Sequence, residues 1–454
     1  MNDIRRYEYL FLGGGKGGKS LAMDLARHGK RVAVIERGLI GGSCINIACI
    51  PSKTLIQNAR NMHVRRAFGR DPDIVADMIK VSANVQNVVR GMIELNHQGF
   101  VKSGLELVIG VGRFVAPRRI SVRLDDGTEQ VFEGDNVYIN TGTTATVPDI
   151  PGLKDASPLT HVEALRLESL PSHLIVLGGG YIGLEMAQAY RRLGSEVTLV
   201  HNASRLVERE DEDVSAEIEH AFKDEAIELR LGTRAVEVRG RSGEGVTVHL
   251  DNGAVVAGSH ILVATGRKAL TTGIGLDLAG VEVDGRGFIK VDDKLATTAE
   301  RTWAIGEVAG TPMFTHASFD DYRILKAGID GHPVSTSTRV IPYALFIDPE
   351  LGRIGLSENQ AKAQGTPVRV ARLPMAAVPR ARTNGATRGF MKALVDPRDG
   401  QILGFTMVGT AAGEVMSVAQ MAMLGKLPYT SVRDAIIAHP LLAEGLNLLF
   451  ATLP

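Results

Sequence analysis

At 454 residues, 44% hydrophobic and 22% charged, the chain is long enough for about three globular domains. Lysine plus arginine balances aspartate plus glutamate at 51 each, which leaves no basic stripe for nucleic acid and no charged block for a membrane surface. No run of 18 apolar residues could span a bilayer, and the start runs straight into a glycine-rich turn without a leader's apolar stretch, so a cytoplasmic protein is expected.

Residues 7 to 36 read as strand, turn, helix and strand. Gly13, Gly15 and Gly18 fit G-x-G-x-x-G, Leu21, Leu25 and Ala26 mark the apolar side of a helix, and the next strand ends at Glu36. Such glycines let a pyrophosphate approach the helix N-terminus, and an acid at the end of the second strand can accept hydrogen bonds from ribose hydroxyls.

The only two cysteines follow, Cys44 and Cys49, within Gly41-Gly-Ser-Cys-Ile-Asn-Ile-Ala-Cys-Ile-Pro-Ser-Lys53. This segment reads as a loop entering a helix. Five residues of regular helix rise about 7.5 Å, beyond the roughly 4.4–6.8 Å between Cα atoms that a disulfide prefers. A bond between them therefore needs a distorted turn and would be labile, suiting a catalyst better than a staple. Two separate buried thiols are the alternative reading.

Residues 70 to 105 carry an amphipathic helical pattern, and 105 to 140 alternate as short strands with a hairpin turn at Asp126-Gly127. Asn140-Thr-Gly-Thr and Pro148 to Pro151 read as a crossover linker. The first unit then recurs: a strand from His173, the fingerprint Gly178, Gly180 and Gly183, and a strand from Glu196. The copies start 165 residues apart and imply two dinucleotides. Counting 23 residues from each first glycine gives Glu36 in one copy and His201 in the other. His201, Asn202 and Arg205 would suit a 2′-phosphate, which points to NADPH over NADH. The alternative is an exposed loop of no consequence. A second Thr-Gly turn closes the strand-rich patch 226 to 264, before Arg267. From about residue 338, strands expected at 339–346, 368–373, 389–395 and 402–409 alternate with helices at 357–364, 411–425 and 430–437.

Two fingerprints, a C-x4-C after the first and His439-Pro-x-x-x-Glu444 resemble the class I flavoprotein disulfide reductases, the group of glutathione reductase, dihydrolipoamide dehydrogenase and mercuric reductase. The resemblance covers essentially the whole chain. Gly15-Lys-Gly-Gly-Lys19 and Ser318 to Arg323 most resemble the bacterial reactive-chlorine-resistance branch. The resemblance implies an α/β fold of two Rossmann-like domains plus a C-terminal α+β dimerisation domain. The FAD-binding domain would comprise 1–150 and 266–337, the NAD(P)H-binding domain 151–265 and the dimerisation domain 338–454. It further implies that the first fingerprint with Glu36 binds FAD, helped by Gly42, Ser43, Lys53, Thr141, Gly142, Gly306 and Glu307. The nicotinamide side would use Gly178, Gly180, Gly183, Tyr181, Gly266 and Arg267, with Tyr181 covering the pocket. Cys49 would face the flavin as charge-transfer thiolate, Cys44 would be the interchange thiol, and Lys53 would pair with Glu185. His439, held by Glu444, would act as acid/base across a homodimer interface. Histidine titrates near neutrality, and a neighbouring acid fixes its tautomer.

Electrons would pass from NAD(P)H through flavin to Cys44–Cys49 and on to a disulfide, an oxidised thiol or a metal ion, in service of redox homeostasis. No resident metal is expected. Dihydrolipoamide dehydrogenase and a flavin redox sensor are the rival readings. Departures are Glu307, where the family usually has aspartate, and Ala48, where it has glycine. The absence of a C-terminal cysteine pair argues against mercuric reductase proper.

Overall fold

A computed structural model describes residues 4–69 and 74–453. Strand β1 (Ile4–Leu12) lies between β2 (Val32–Glu36) and the long β6 (Glu129–Ile139), with parallel pairing on both sides. β3 (Glu106–Ile109) extends this sheet beyond β2, and the strand Thr302–Ala304 adds parallel to the end of β6. β4 (Val111–Ala116) and β5 (Arg119–Arg123) continue antiparallel from β6, and the predicted Asp126-Gly127 turn joins β5 to β6. β2 reads Val-Ala-Val-Ile-Glu and is buried on both faces up to Glu36, as a strand between helical layers requires.

Helix α1 (Lys16–Arg27) crosses between β1 and β2 and buries Leu21, Ala22 and Leu25 against the sheet. α2 (Ser43–Asn46) and α3 (Cys49–Phe68) follow. α4 (Met78–Ser103) is shorter than the 70–105 expected. The Asp77 side chain caps its start by accepting from the Lys80 N–H at 3.2 Å, and Gly104 ends it at φ +77°. Residues 70–73 of that expectation lie outside the described residues.

The second copy repeats the plan in a four-stranded parallel sheet, with His173–Leu177 between Glu196–His201 and His260–Val263. A three-stranded antiparallel sheet, 235–241, 245–250 and 255–258, packs beside it. The segments following the two Thr-Gly turns, Thr143–Ala145 and Arg267–Ala269, pair antiparallel with each other. The chain thus leaves and re-enters the first sheet through one two-stranded tie.

The C-terminal module is a five-stranded antiparallel sheet in the order 343–345, 351–355, 402–408, 390–395, 369–374. Leu351–Gly355 was not expected as a strand, because Gly352 and Gly355 interrupt its apolar pattern. Gly352 is required there, since an added Cβ would lie 2.5 Å from the Ala412 carbonyl oxygen of the covering helix. The helix expected at 430–437 stops at Arg433. Asn447 Nδ2 donates to the carbonyls of Val432, Arg433 and Ala435 at 2.8–3.0 Å, taking acceptors that further helical turns would use. The strand expected at 339–346 shrinks to Tyr343–Leu345, just after Pro342, whose missing N–H cannot join the ladder. Buried charges lock this module to the second copy. Lys392 Nζ meets Asp211, Asp213 and Glu358 at 2.8–2.9 Å, and Arg353 meets Glu210 at 2.8 Å.

Candidate active site

The cysteine motif is a broken helix. Ile47 (φ −145°, ψ 7°) and Ala48 (φ −135°, ψ −103°) leave helical geometry between α2 and α3. That break supplies the distorted turn that a C-x4-C pair needs, and the two thiols hydrogen-bond to each other. Asn46 Nδ2 holds the approach by donating to the carbonyls of Leu39, Ile40 and Gly42 at 2.9–3.1 Å. The two sulfurs differ in electrostatics. The hydrogen bond from Cys44 lowers the pKa of Cys49 to about 6 against the opposing effect of burial, with help from Thr315 and the Lys53 charge. The same hydrogen bond, burial and the neighbouring thiolate push Cys44 upward. A single negative charge therefore settles on Cys49. Cys49 Sγ lies 3.2 Å from Thr315 Oγ1 at the start of the helix Thr315–Ile329.

Lys53, one turn further along α3, reaches both oxygens of buried Glu185 at 2.8 and 2.9 Å, and its ammonium sits 4.7 Å from the Phe346 ring centroid. The Phe346 N–H also donates to Glu185 at 3.1 Å. The pairing expected from sequence is therefore made between the two dinucleotide units, with a residue of the C-terminal module closing it.

In the first fingerprint, Gly13 has φ +101°, and a Cβ there would strike the Asn140 carbonyl oxygen at 2.4 Å. Gly15 and Gly18 face the Asn140 side chain. α1 starts at Gly15 without a side-chain cap. Gly17 and Gly18 donate to Ser318 Oγ and Asn140 Oδ1, while the N–H groups of Gly15 and Lys16 have no partner among the described residues. Glu36 accepts from Gly14 N–H at 2.8 Å and Gly38 N–H at 3.0 Å, holding its carboxylate at the mouth of this turn. Open helix-end donors and an acid at the strand end fit the diphosphate and ribose of FAD. Gly42, at φ +72°, packs against Gly15 Cα and brings Ser43 to the same end of α1.

In the second fingerprint, the helix Tyr181–Leu193 starts uncapped at Gly180, where an added Cβ would meet nothing within 4 Å. The His201 ring lies against Gly179 and is half-buried, and burial lowers its pKa. Asn202 is exposed, and Arg205 is tied to Glu212 at 3.3 Å and to the Glu208 carbonyl. The Tyr181 hydroxyl donates to Glu210 at 2.7 Å, and its ring packs on Phe314 and Tyr343.

Glu307 accepts from Thr143 Oγ1 and faces Arg267 Nε at 3.5 Å, and Arg267 also donates to Thr143. Thr141 Oγ1 donates to the Leu270 carbonyl, while Gly142 and Gly266 take positive φ with open space at Cβ. Asp321 anchors Gly306, accepting from its N–H at 2.7 Å, from Thr311 at 2.8 Å and from Arg339 at 2.5 Å. His439 Nδ1 lies 3.0 Å from both oxygens of Glu444, with the imidazole 65% exposed. The pair is thus formed, with the imidazole open to solvent. Sequence reasoning missed Thr315, Asp321 and Glu210. Only the neighbouring Gly306-Glu307 and Ser318–Arg323 motifs hinted at this region.

Two nucleotide-binding folds converging on a charged-and-neutral thiol pair define a flavin- and nicotinamide-linked thiol oxidoreductase. The pyridine nucleotide-disulphide oxidoreductase family matches residues 7–321, and its dimerisation domain matches 341–449. The chain is 34% identical to the probable pyridine nucleotide-disulfide oxidoreductase RclA of Escherichia coli, covering 99% of each chain. It is 33% identical to a mercuric reductase of Bacillus cereus, covering 98% of this chain and 71% of the relative. The solved Cu(II) complex of the HOCl-induced flavoprotein disulfide reductase RclA superposes with a TM-score of 0.92 at 34% identity, over 99% of this chain and all of the other. The chain belongs to the pyridine nucleotide-disulphide oxidoreductases, flavoproteins that pass electrons by way of FAD and a disulfide to an acceptor.

Proposed function

We propose that this enzyme is an NADPH-dependent reductase in which Cys49 is the thiolate beside the flavin and Cys44 the thiol that meets the acceptor. The observation that carries the reading is the asymmetry of the pair. Cys49 carries the charge, favoured first by the hydrogen bond from Cys44 and then by Thr315 and Lys53, whereas Cys44 is pushed towards its protonated form. FAD, when bound, supplies the two-electron relay between nicotinamide and the disulfide. Lys53 and Glu185 keep a compensated charge beside that relay, and Tyr181 closes the nicotinamide side from its seat on Glu210. His439, its tautomer fixed by Glu444, serves the partner subunit's disulfide in a homodimer and moves the Cys44 proton. Its outward-facing ring supports this placement.

The FAD unit comprises residues 1–150 and 266–337, the nicotinamide unit 151–265 and the dimerisation unit 338–454. His201, in place of an acid, supports NADPH as donor. The acceptor is a disulfide, an oxidised thiol or a metal ion such as Cu(II). A relative solved as a Cu(II) complex and relatives named mercuric reductases favour the metal. A labile disulfide is kept in play in the reducing cytoplasm, where this reading puts the enzyme.

Anaerobic titration with NADPH, then NADH, tests the reading. The first two electrons should leave the flavin oxidised and raise a long-wavelength thiolate band, with NADPH acting faster. Immediate flavin bleaching without that band would overturn it.

A further inference from the structure

The structure holds two nearly inaccessible lysines with opposite surroundings. Lys392, 1% exposed, is enclosed by three carboxylates. Lys19, 4% exposed, meets only neutral oxygens among the described residues. Its Nζ donates to the Gly41 carbonyl at 3.3 Å and to Asn96 Oδ1. A buried ammonium without a carboxylate is costly. Burial and the neighbouring Lys16 lower its pKa to about 8, and Cys44 is the group that works to raise it. Reciprocally, Lys19 is among the influences that lower the pKa of Cys44.

The geometry explains the coupling. Lys19 lies on α1, against which α4 packs, and α4 in turn packs on α2; its ammonium grips the carbonyl three residues before Cys44. The groups facing it are Lys16 from α1, Cys44 from α2 and the neutral Asn96 from α4. Cys44 itself faces Cys49 from α3, Thr315 from the helix 315–329, and Lys19. The diphosphate-directed N–H groups lie at the first turn of α1, whereas Lys19 belongs to the second.

We propose that Lys19 is a positioning residue whose buried positive charge favours the thiolate of Cys44 when the negative charge leaves Cys49 for the acceptor side. The inference rests on Cys44 being the interchange thiol. It adds to the histidine a fixed electrostatic bias supplied from within the same chain. No bond to Lys19 forms or breaks, because only the proton equilibrium of Cys44 is displaced.

The test is iodoacetamide alkylation of the reduced holoenzyme across the thiol titration range, with the label mapped by mass spectrometry and FAD content measured in parallel. Lys19→Met keeps the volume and removes the charge. It should slow Cys44 labelling about five- to tenfold at neutral pH, where Lys19 is charged, with the difference from the unaltered enzyme closing as pH rises through about 8. Lys19→Arg should restore most of the rate, and the thiolate band of Cys49 should persist in both. Lys19→Gln, read in the same assay, replaces the methionine variant if that fails to fold. Label on Cys44 with an unchanged pH profile, with or without loss of FAD, overturns the role of Lys19 and leaves the enzyme reading standing. Bound FAD would cover the Cys49 thiolate and leave Cys44 open to the reagent, so label on Cys49 in preference to Cys44 in the unaltered holoenzyme overturns the cysteine assignment and the inference together.

Discussion

The first glycines of the two dinucleotide units make matching contacts, but the units differ in what holds them together. Gly13 N–H donates to Ile35 and Gly178 N–H to Val200, at 2.8 and 2.9 Å. Each glycine has a positive φ, and a Cβ on either would lie 2.4 Å from a carbonyl oxygen, that of Asn140 or of Ala264. At that matched position the units part. Asn140 carries an amide that accepts from Gly18 N–H at 3.1 Å and donates to the Ile305 carbonyl at 2.7 Å, tying α1 to the strand returning from beyond residue 266. Ala264 has no such group. There Gly183 closes directly on the fingerprint, its absent Cβ leaving room for the Gly178 carbonyl oxygen at 1.9 Å. The first unit is assembled from two stretches of chain and needs a polar clasp, whereas the second is continuous and closes on its own backbone.

Breaking the self-closed unit should have the largest effect. Gly183→Ala forces a methyl into backbone that cannot yield and should cost about 3 kcal/mol or more, read as a lower denaturant midpoint. Gly180→Ala meets no protein atom, so it should leave that midpoint unchanged while weakening NADPH binding. A matching stability loss at both positions would refute the distinction. Next in size, Asn140→Ala strands the Gly18 N–H and the Ile305 carbonyl in the interior and should cost about 2 kcal/mol, with FAD released more easily on dilution. An unchanged midpoint would mean that the clasp carries no energy.

The ribose positions sharpen the contrast further. His201→Glu recreates in the second unit the acid that Glu36 supplies in the first. It should shift the NADPH-to-NADH ratio of kcat/KM about tenfold towards NADH, some 1.4 kcal/mol. A preference that stays put would remove His201 from recognition. The smallest effect is in pH. Cys49 is a thiolate above its pKa of about 6, so the long-wavelength band of the two-electron-reduced enzyme should be full at neutral pH and lost as pH falls through that value. A band that survives well below it would mean that the charge is held more strongly than Cys44, Thr315 and Lys53 account for.

Features written over short stretches were legible in the sequence. Both fingerprints, the C-x4-C pair and the Asp126-Gly127 hairpin lie within single turns or crossovers, where glycine conformation and apolar periodicity decide the outcome. Lys53 and Glu185, 132 residues apart, were joined through the family resemblance, since spacing alone could not pair them. The strand containing Arg353 was hidden by Gly352 and Gly355, and its burial depends on a partner far away in sequence, Glu210. The shortened helix ending at Arg433 was set by Asn447, 14 residues onward.

By itself, then, the sequence determined that two nucleotide-binding fingerprints accompany a closely spaced cysteine pair and that a histidine and an acid stand five residues apart near the C-terminus. Tertiary structure supplied the physical ground for placing the charge on Cys49, because the break at Ile47 and Ala48 lets Cys44 donate to it and brings the Lys53 charge nearby. It alone left the His439 ring open to solvent, and it alone buried Lys19 without a carboxylate among the described residues. A pKa depends on what burial removes and on which charges remain nearby, and packing brings those groups together from distant parts of the chain.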